Sequence, residues 1–268
     1  PRGAPGGVVA SAPAALPPGL GTAGHPTGAR GLGPRRPGPP VGLGGVSDNA
    51  VARLFRSAPV TCSVGALLIA VWLLQAIEAR SITRTAAGPV TDAFLVRGPE
   101  VIVEPLGALR TLTAVLIHLG LGHLVVNLAL FFFVGREIER RLPGGFYLAT
   151  FVLSGLGSSL AIIVFDPLVP TAGASGAIFG LMAVFVATAF RAGLDVRAPL
   201  ILLGINIAYT FISAGSVSLW GHLGGAATGA ALAGATLARR AWLRWAITAL
   251  VAFVVIGGIL LYSSGVWF

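Results

Sequence analysis

The sequence predicts an all-α polytopic membrane protein, and three observations carry that prediction. Of its 268 residues, 55% are hydrophobic and only 10% charged, with a mean hydropathy of +0.89, far from a soluble domain of this length. Uncharged stretches close to the roughly 20 residues that a bilayer core demands follow one another from residue 58 onward. The charges between them are mostly arginine, as loops at a membrane surface require.

Residues 1–52 are rich in Pro, Gly and Ala, carry Arg2, Arg30, Arg35 and Arg36, and show no hydrophobic period, so they read as a disordered tail. Pro and Gly interrupt every candidate signal-peptide core there, and His25 reads as solvated. The first span is expected at about 58–77, and the second within 111–135, with a continuation towards Arg141. The third covers about 144–165 and the fourth about 174–190. From Ala198 to Ala238 there is no charge, too long for one span; Ser213-Ala214-Gly215-Ser216 is the natural break. That divides the run into a short fifth span at 198–213 and a sixth at 219–238, and a seventh follows at 245–262. The expected domains are the tail, a membrane domain over 53–240, and the seventh span with the C-terminus over 241–268.

Arg53 and Arg56, Arg136, Arg140 and Arg141, Arg191 and Arg197, and Arg239, Arg240 and Arg244 all fall on one side of such a bundle. The positive-inside rule makes that side cytoplasmic, so the N-terminus lies inside and the C-terminus outside. The segment from Glu78 to Arg110 is then an outer loop of unusual length, which hints at a folded element. The net charge of +9 does not call for nucleic acid, because topology already accounts for the arginines. All 18 basic residues are arginine, which with the Ala, Gly and Pro richness suggests a GC-rich bacterial coding sequence. The single cysteine, Cys62, allows no intramolecular disulfide and no cysteine metal site.

The chemistry-bearing stretch is Gly173-Ala174-Ser175-Gly176, at the start of the fourth span, with Gly221-His222-Leu223-Gly224-Gly225 at the start of the sixth. Taken alone, such small residues and hydroxyls also let membrane helices pack closely. Depth favours chemistry: Ser175 stands 16 residues before Arg191 and His222 stands 17 before Arg239. Both therefore lie roughly 24–26 Å above their cytoplasmic charges, in one layer near the outer surface. His118 and His123 flank the start of the second span, and Asn127 follows His123 by four residues, on the same helical face. Histidines beside apolar runs are costly unless they meet a cavity or a partner. Helix-to-helix hydrogen bonding is one use for them, and a polar site in the layer of Ser175 is the other.

Taken together, His118-x4-His123-x3-Asn127, Gly173-x-Ser175-Gly176 and Gly221-His222-x-Gly224-Gly225-x3-Gly229 resemble the rhomboid family of intramembrane serine proteases. Glu139-Arg140-Arg141 resembles that family's acidic-basic cluster, and the likeness covers about residues 55–240. It implies a six-helix bundle, here with one extra C-terminal transmembrane helix. It also implies Ser175 as nucleophile, His222 as general base, and His123 and Asn127 as oxyanion donors beside the Ser175 backbone N–H. His118 would support the outer loop, Phe179 would stack on His222, and Gly173 and Gly176 would frame the serine. The implied reaction needs no cofactor and no metal, takes transmembrane proteins as substrates within the lipid bilayer, and leaves oligomeric state open. One departure stands out: the family commonly has Trp-Arg at the end of the outer loop, where this chain has Leu109-Arg110. Two rival readings are a proteolytically silent relative that binds membrane proteins for quality control, and a metal-binding or transport protein using His118, His123, His222 and Asn127. The second rival lacks carboxylate and thiolate ligands in that layer, and an i to i+5 spacing would put His118 and His123 on different helical faces.

Overall fold

The computed structural model describes residues 50–266, so the expected tail lies outside the described residues except for 50–52, which open a helix. That helix, α1 (Ala50–Ser57), leads into α2 (Pro59–Glu78), with proline in the first turn where its missing N–H costs nothing. The segment read from the sequence as an outer loop then folds into α3 (Pro89–Phe94), α4 (Gly98–Val103), a 3₁₀ turn at Gly107–Leu109, α5 (Arg110–Thr113) and a second 3₁₀ turn at Ala114–Leu116. The remaining helices are α6 (Leu121–Glu139), α7 (Gly144–Phe165), α8 (Ser175–Arg191), α9 (Arg197–Ile212), α10 (Leu219–Leu237) and α11 (Ala241–Ser263).

Helices thus occupy the seven apolar stretches read from the sequence. Among the described residues, α2, α6, α7 and α11 are long and apolar enough to cross a bilayer, while α8 and α9 have only 17 and 16 residues. The molecule is an all-α polytopic membrane protein. Leu67, Leu73, Ile201, Ile205, Phe253 and Val254 are exposed on α2, α9 and α11, as surfaces that face lipid instead of water must be.

The second span begins between the two histidines expected to flank it: α6 starts at Leu121, inside the run over 111–135, after the chain leaves its short helical turns at Ile117, which is extended. Tertiary contacts break the helix there. The His118 N–H donates to Gln75 Oε1 at 3.1 Å and the His118 carbonyl accepts from the Thr85 hydroxyl, so the backbone of 118 is paired with α2 and the loop. The Gln75 amide also donates to Thr91 Oγ1 at 2.8 Å, which knits the buried side of the outer loop to α2.

The centre of the bundle is made of α7, α8 and α10, and backbone packs on backbone there. A Cβ on Gly229 would come within 2.6 Å of the Gly180 carbonyl carbon, and one on Gly180 within 2.8 Å of the Gly225 oxygen. A Cβ on Gly224 would meet the Gly157 oxygen at 2.6 Å, so α10 also fits closely against α7. Ser158 and Ser154 of α7 fill the space over Gly176 and Gly180. Without a hydrophobic drive between helices in lipid, such close approach is how they hold together. Some buried hydroxyls are satisfied within their own helices, as Thr150 donates to the Phe146 carbonyl and Thr228 to the Gly224 carbonyl, both at 2.9 Å. Larger side chains, Phe131, Tyr147 and Phe151 among them, fill the wider part of the core between α6 and α7.

The cluster at the end of α6 divides its work in a way the sequence does not reveal. Arg140 and Arg141 pair with Glu137, at 3.0 and 2.7 Å. Glu139 turns inward and accepts from the Val60 N–H at 2.7 Å, the Thr61 N–H at 2.9 Å and the Thr61 hydroxyl at 2.7 Å. Unpaired amides and the positive end of the helix dipole make the N-terminus of α2 a natural seat for this carboxylate. Glu139→Ala is therefore expected to cost about 2 kcal/mol. Glu137→Ala should cost under about 1 kcal/mol, because its pairs are solvent-exposed. Thermal unfolding in detergent checks the contrast, and equal losses would refute it.

Candidate functional site

Ser175 is the first residue of α8, so its side chain stands at the helix mouth among amides that have no intrahelical acceptor. Ala174 before it provides no side-chain cap, which leaves that end of α8 open to a negatively charged group. His222 is in the first turn of α10, whose N-cap Ser218 accepts from the Gly221 N–H at 3.1 Å. The close approach of α8 and α10 brings the two together: His222 Nε2 lies 2.9 Å from Ser175 Oγ. Phe179, one turn after Ser175, stacks on the imidazole with ring centroids 4.3 Å apart and planes at 14°. A hydroxyl bonded to a ring nitrogen held by a stacked aromatic is an arrangement in which histidine can take a serine proton.

His123 comes to the same place from α6. Gly173 has a φ of +130°, a backbone that other residues rarely adopt, and a Cβ there would sit 2.9 Å from His123 Nε2 and 3.8 Å from Ser175 Oγ. The imidazole and the hydroxyl thus border one small volume, which only a glycine leaves empty. The Leu119 N–H donates to His123 Nδ1 at 3.3 Å, so the proton of a neutral ring is on Nε2, the nitrogen next to that volume. Asn127 is buried and donates through Nδ2 to the His123 carbonyl at 2.8 Å, with its second amide hydrogen still to place. Nε2–H and the first amides of α8 flank Ser175, an arrangement suited to a developing oxyanion.

His118 is fully buried in the extended segment before α6, its Nδ1 3.2 Å from the Leu116 carbonyl and its ring 5.1 Å from that of His123. Helical spacing does not separate these two histidines, because His118 lies before the first residue of α6. Among the described residues, no three His, Cys, Asp or Glu side chains are grouped to hold a metal ion.

The outer loop above the site is ordered around Arg110. Its guanidinium holds Glu104 at 2.6 and 2.9 Å and donates to the Asp92 and Leu95 carbonyls at 2.5 and 3.2 Å. Leu109, in the position where a tryptophan was expected, is 55% exposed, and the loop is anchored by its arginine. Arg97 pairs with Glu100 and holds that carboxyl below the usual carboxylate range. Tyr262, near the end of α11, packs with Val96, Val101, Ala114, Ile162 and Ile163, so the last helix supports the loop from beneath.

Two contributions were missed in the sequence. The Leu119 amide that orients His123 carries no side-chain signal at all. Thr210 of α9, whose Oγ1 lies 2.8 Å from His222 Nδ1, is one of many hydroxyls in apolar spans, and only its place twelve residues before His222 sets it apart.

Comparison with known proteins places the chain in a family. The chain is 33% identical to the rhomboid protease GluP of Bacillus subtilis over 122 residues, which is 43% of this chain and 24% of that protein. It is 29% identical to the putative rhomboid protease YdcA of the same organism over 64% of this chain and 85% of that protein. It is 27% identical to RHOMBOID-like protein 1 of Arabidopsis thaliana over 56% of this chain and 43% of that protein. The chain thus spans about a quarter of GluP and less than half of the plant protein. The profile of the Rhomboid domain matches residues 106–240, half of the chain and every residue of the site described above, and the chain belongs to the rhomboid family of membrane proteins.

Proposed function

We propose that the chain is a cofactor-free intramembrane serine endopeptidase, with Ser175 as nucleophile and His222 as general base. The observation that carries the reading is the 2.9 Å contact between His222 Nε2 and Ser175 Oγ beneath the stacked ring of Phe179. Attack of Oγ on a substrate carbonyl passes the serine proton to Nε2 and builds negative charge on the carbonyl oxygen. His123 Nε2–H, the Asn127 amide and the Ser175 backbone N–H would receive that charge. The imidazolium then protonates the leaving amine, and water entering from the outer side hydrolyses the acyl-enzyme. His118 supports the loop and the His123 ring from behind, while Gly173 and Gly176 keep the space around the serine open.

The substrates in this reading are transmembrane proteins cut near the outer surface, where a segment of weak helix stability can expose a peptide bond. Relatives named as rhomboid proteases support it. The topology proposed is a six-helix core over 53–240, made of α2 and α6–α10, with α11 as a seventh span, the N-terminus cytoplasmic and the C-terminus outside. The arginines after α6, α8 and α10 support that orientation, as does the common placement of Ser175 and His222 at the opposite helix ends. Arg191 reinforces the inner end by donating to the Thr236 carbonyl of α10 at 2.6 Å.

Ser175→Ala and His222→Ala are each expected to lower cleavage of a transmembrane substrate by more than about 1000-fold with folding intact. Undiminished cleavage in either would sink the mechanism. A wild-type chain that a fluorophosphonate probe fails to label at Ser175 would instead be a silent, substrate-binding relative. Gly173→Ala should push the His123 ring away from the serine and reduce kcat about 10-fold or more, as loss of an oxyanion donor does; an unchanged kcat would remove His123 from that role.

A further inference from the structure

The second nitrogen of the His222 ring is engaged as closely as the first. Nδ1 lies 2.8 Å from the hydroxyl of Thr210, a residue of α9 with no exposed surface. That hydroxyl has a second neighbour, the Asn206 carbonyl at 2.8 Å, one turn earlier on the same helix. Two partners and one hydroxyl proton allow two arrangements, and they have opposite consequences for Ser175.

With the imidazole proton on Nδ1, the ring donates to Thr210, Thr210 donates to the Asn206 carbonyl, and Nε2 presents its lone pair to the Ser175 hydroxyl. Every proton in the chain then has an acceptor. With the proton on Nε2, Thr210 must turn away from the carbonyl to serve Nδ1. Nε2–H then donates to Ser175 Oγ and cannot accept its proton. A wrong tautomer alone costs soluble serine proteases up to about 10⁴-fold in rate. In those enzymes a carboxylate selects the tautomer, whereas here the group that faces Nδ1 is a hydroxyl already committed by its helix.

Resting on the dyad reading above, we propose that Thr210 is a positioning residue that holds His222 in the tautomer able to take the Ser175 proton, in the place of a triad carboxylate. In the reaction the Ser175 Oγ–H bond breaks, a proton joins Nε2, and the Nδ1–H···Thr210 bond persists throughout. The polarity is set by Asn206, whose carbonyl leaves Thr210 an acceptor towards the ring. The contact also ties the base to α9, a helix on which only Pro199 and Thr210 are buried. The orientation of His222 therefore depends on where this sparsely held helix lies.

The test compares Thr210→Val, which keeps the shape without the hydroxyl, with Thr210→Ser, which restores the hydroxyl, alongside wild type and Ser175→Ala in proteoliposomes. Thr210→Val is expected to lower kcat about 3- to 10-fold with little change in KM, and Thr210→Ser to recover most of it, as loss of one neutral hydrogen bond predicts. In ¹⁵N-histidine NMR spectra, wild type should show the His222 proton on Nδ1, and Thr210→Val a shift towards the Nε2 form. A Thr210→Val protein with wild-type kcat and an unshifted ring spectrum overturns the proposal. Cleavage that survives in Ser175→Ala would defeat the dyad reading instead, and the NMR comparison would still decide whether Thr210 selects the tautomer.

Discussion

The contact between the backbones of α8 and α10 is the constraint on which the rest depends. Gly180 on one helix and Gly225 and Gly229 on the other leave no room for a Cβ, and that absence lets a short side chain at the mouth of α8 reach an imidazole on α10. In lipid, apolar side chains gain little from meeting one another, so helices are held by shape and by dispersion across close surfaces. Packing and chemistry therefore share the same atoms. A larger residue at the seam would separate the helices, and Ser175 from His222 with them.

Around this seam many of the buried polar groups sit where the backbone or a neighbour satisfies them, although the Ser154 hydroxyl over Gly180 has no partner among the described residues. Thr150 and Thr228 bond their own helices, Glu139 closes the start of α2, and Gln75 links α2 to the outer loop. Each answers the same requirement, that a bilayer interior offers no water to complete a hydrogen bond. His123 meets it through the Leu119 amide, and the result is a ring whose remaining N–H faces the serine. Satisfaction of one nitrogen decides what the other can do on His123, and on His222 in the role proposed for Thr210.

The sequence revealed positions along helices well and rotation about them poorly. Uncharged runs located α7 at its observed bounds and α2, α8, α9 and α10 within a residue or two, because the spacing of arginines and glycines is written directly in the chain. The start of α6 between His118 and His123 was legible, but the short turns over 107–116 and the break after them were not, because that break is held by Gln75 and Thr85, more than thirty residues from His118. The common layer of Ser175 and His222 could be counted from their flanking charges, but their contact required the glycine seam. Glu137 and Glu139 were indistinguishable as acids beside arginines, since two residues of helix turn one towards solvent and the other towards α2. Thr210 was hidden for a related reason, as hydroxyls in apolar helices usually do no more than bond their own turn.

The unequal lengths of the helices with lipid-facing side chains have a consequence for the bilayer itself. At about 1.5 Å per residue, the 16 residues of α9 span about 24 Å and the 23 of α11 about 34 Å, on either side of a typical hydrocarbon thickness of about 30 Å. In the proposed topology, where α9 crosses the bilayer, lipid beside α9 must thin, or the helix must sit deeper, while α11 can tilt to fit. The membrane around this protein is then not uniform. Its thinnest collar adjoins the helix that carries Thr210, and lipid chain length becomes a mechanical load on that side of the molecule.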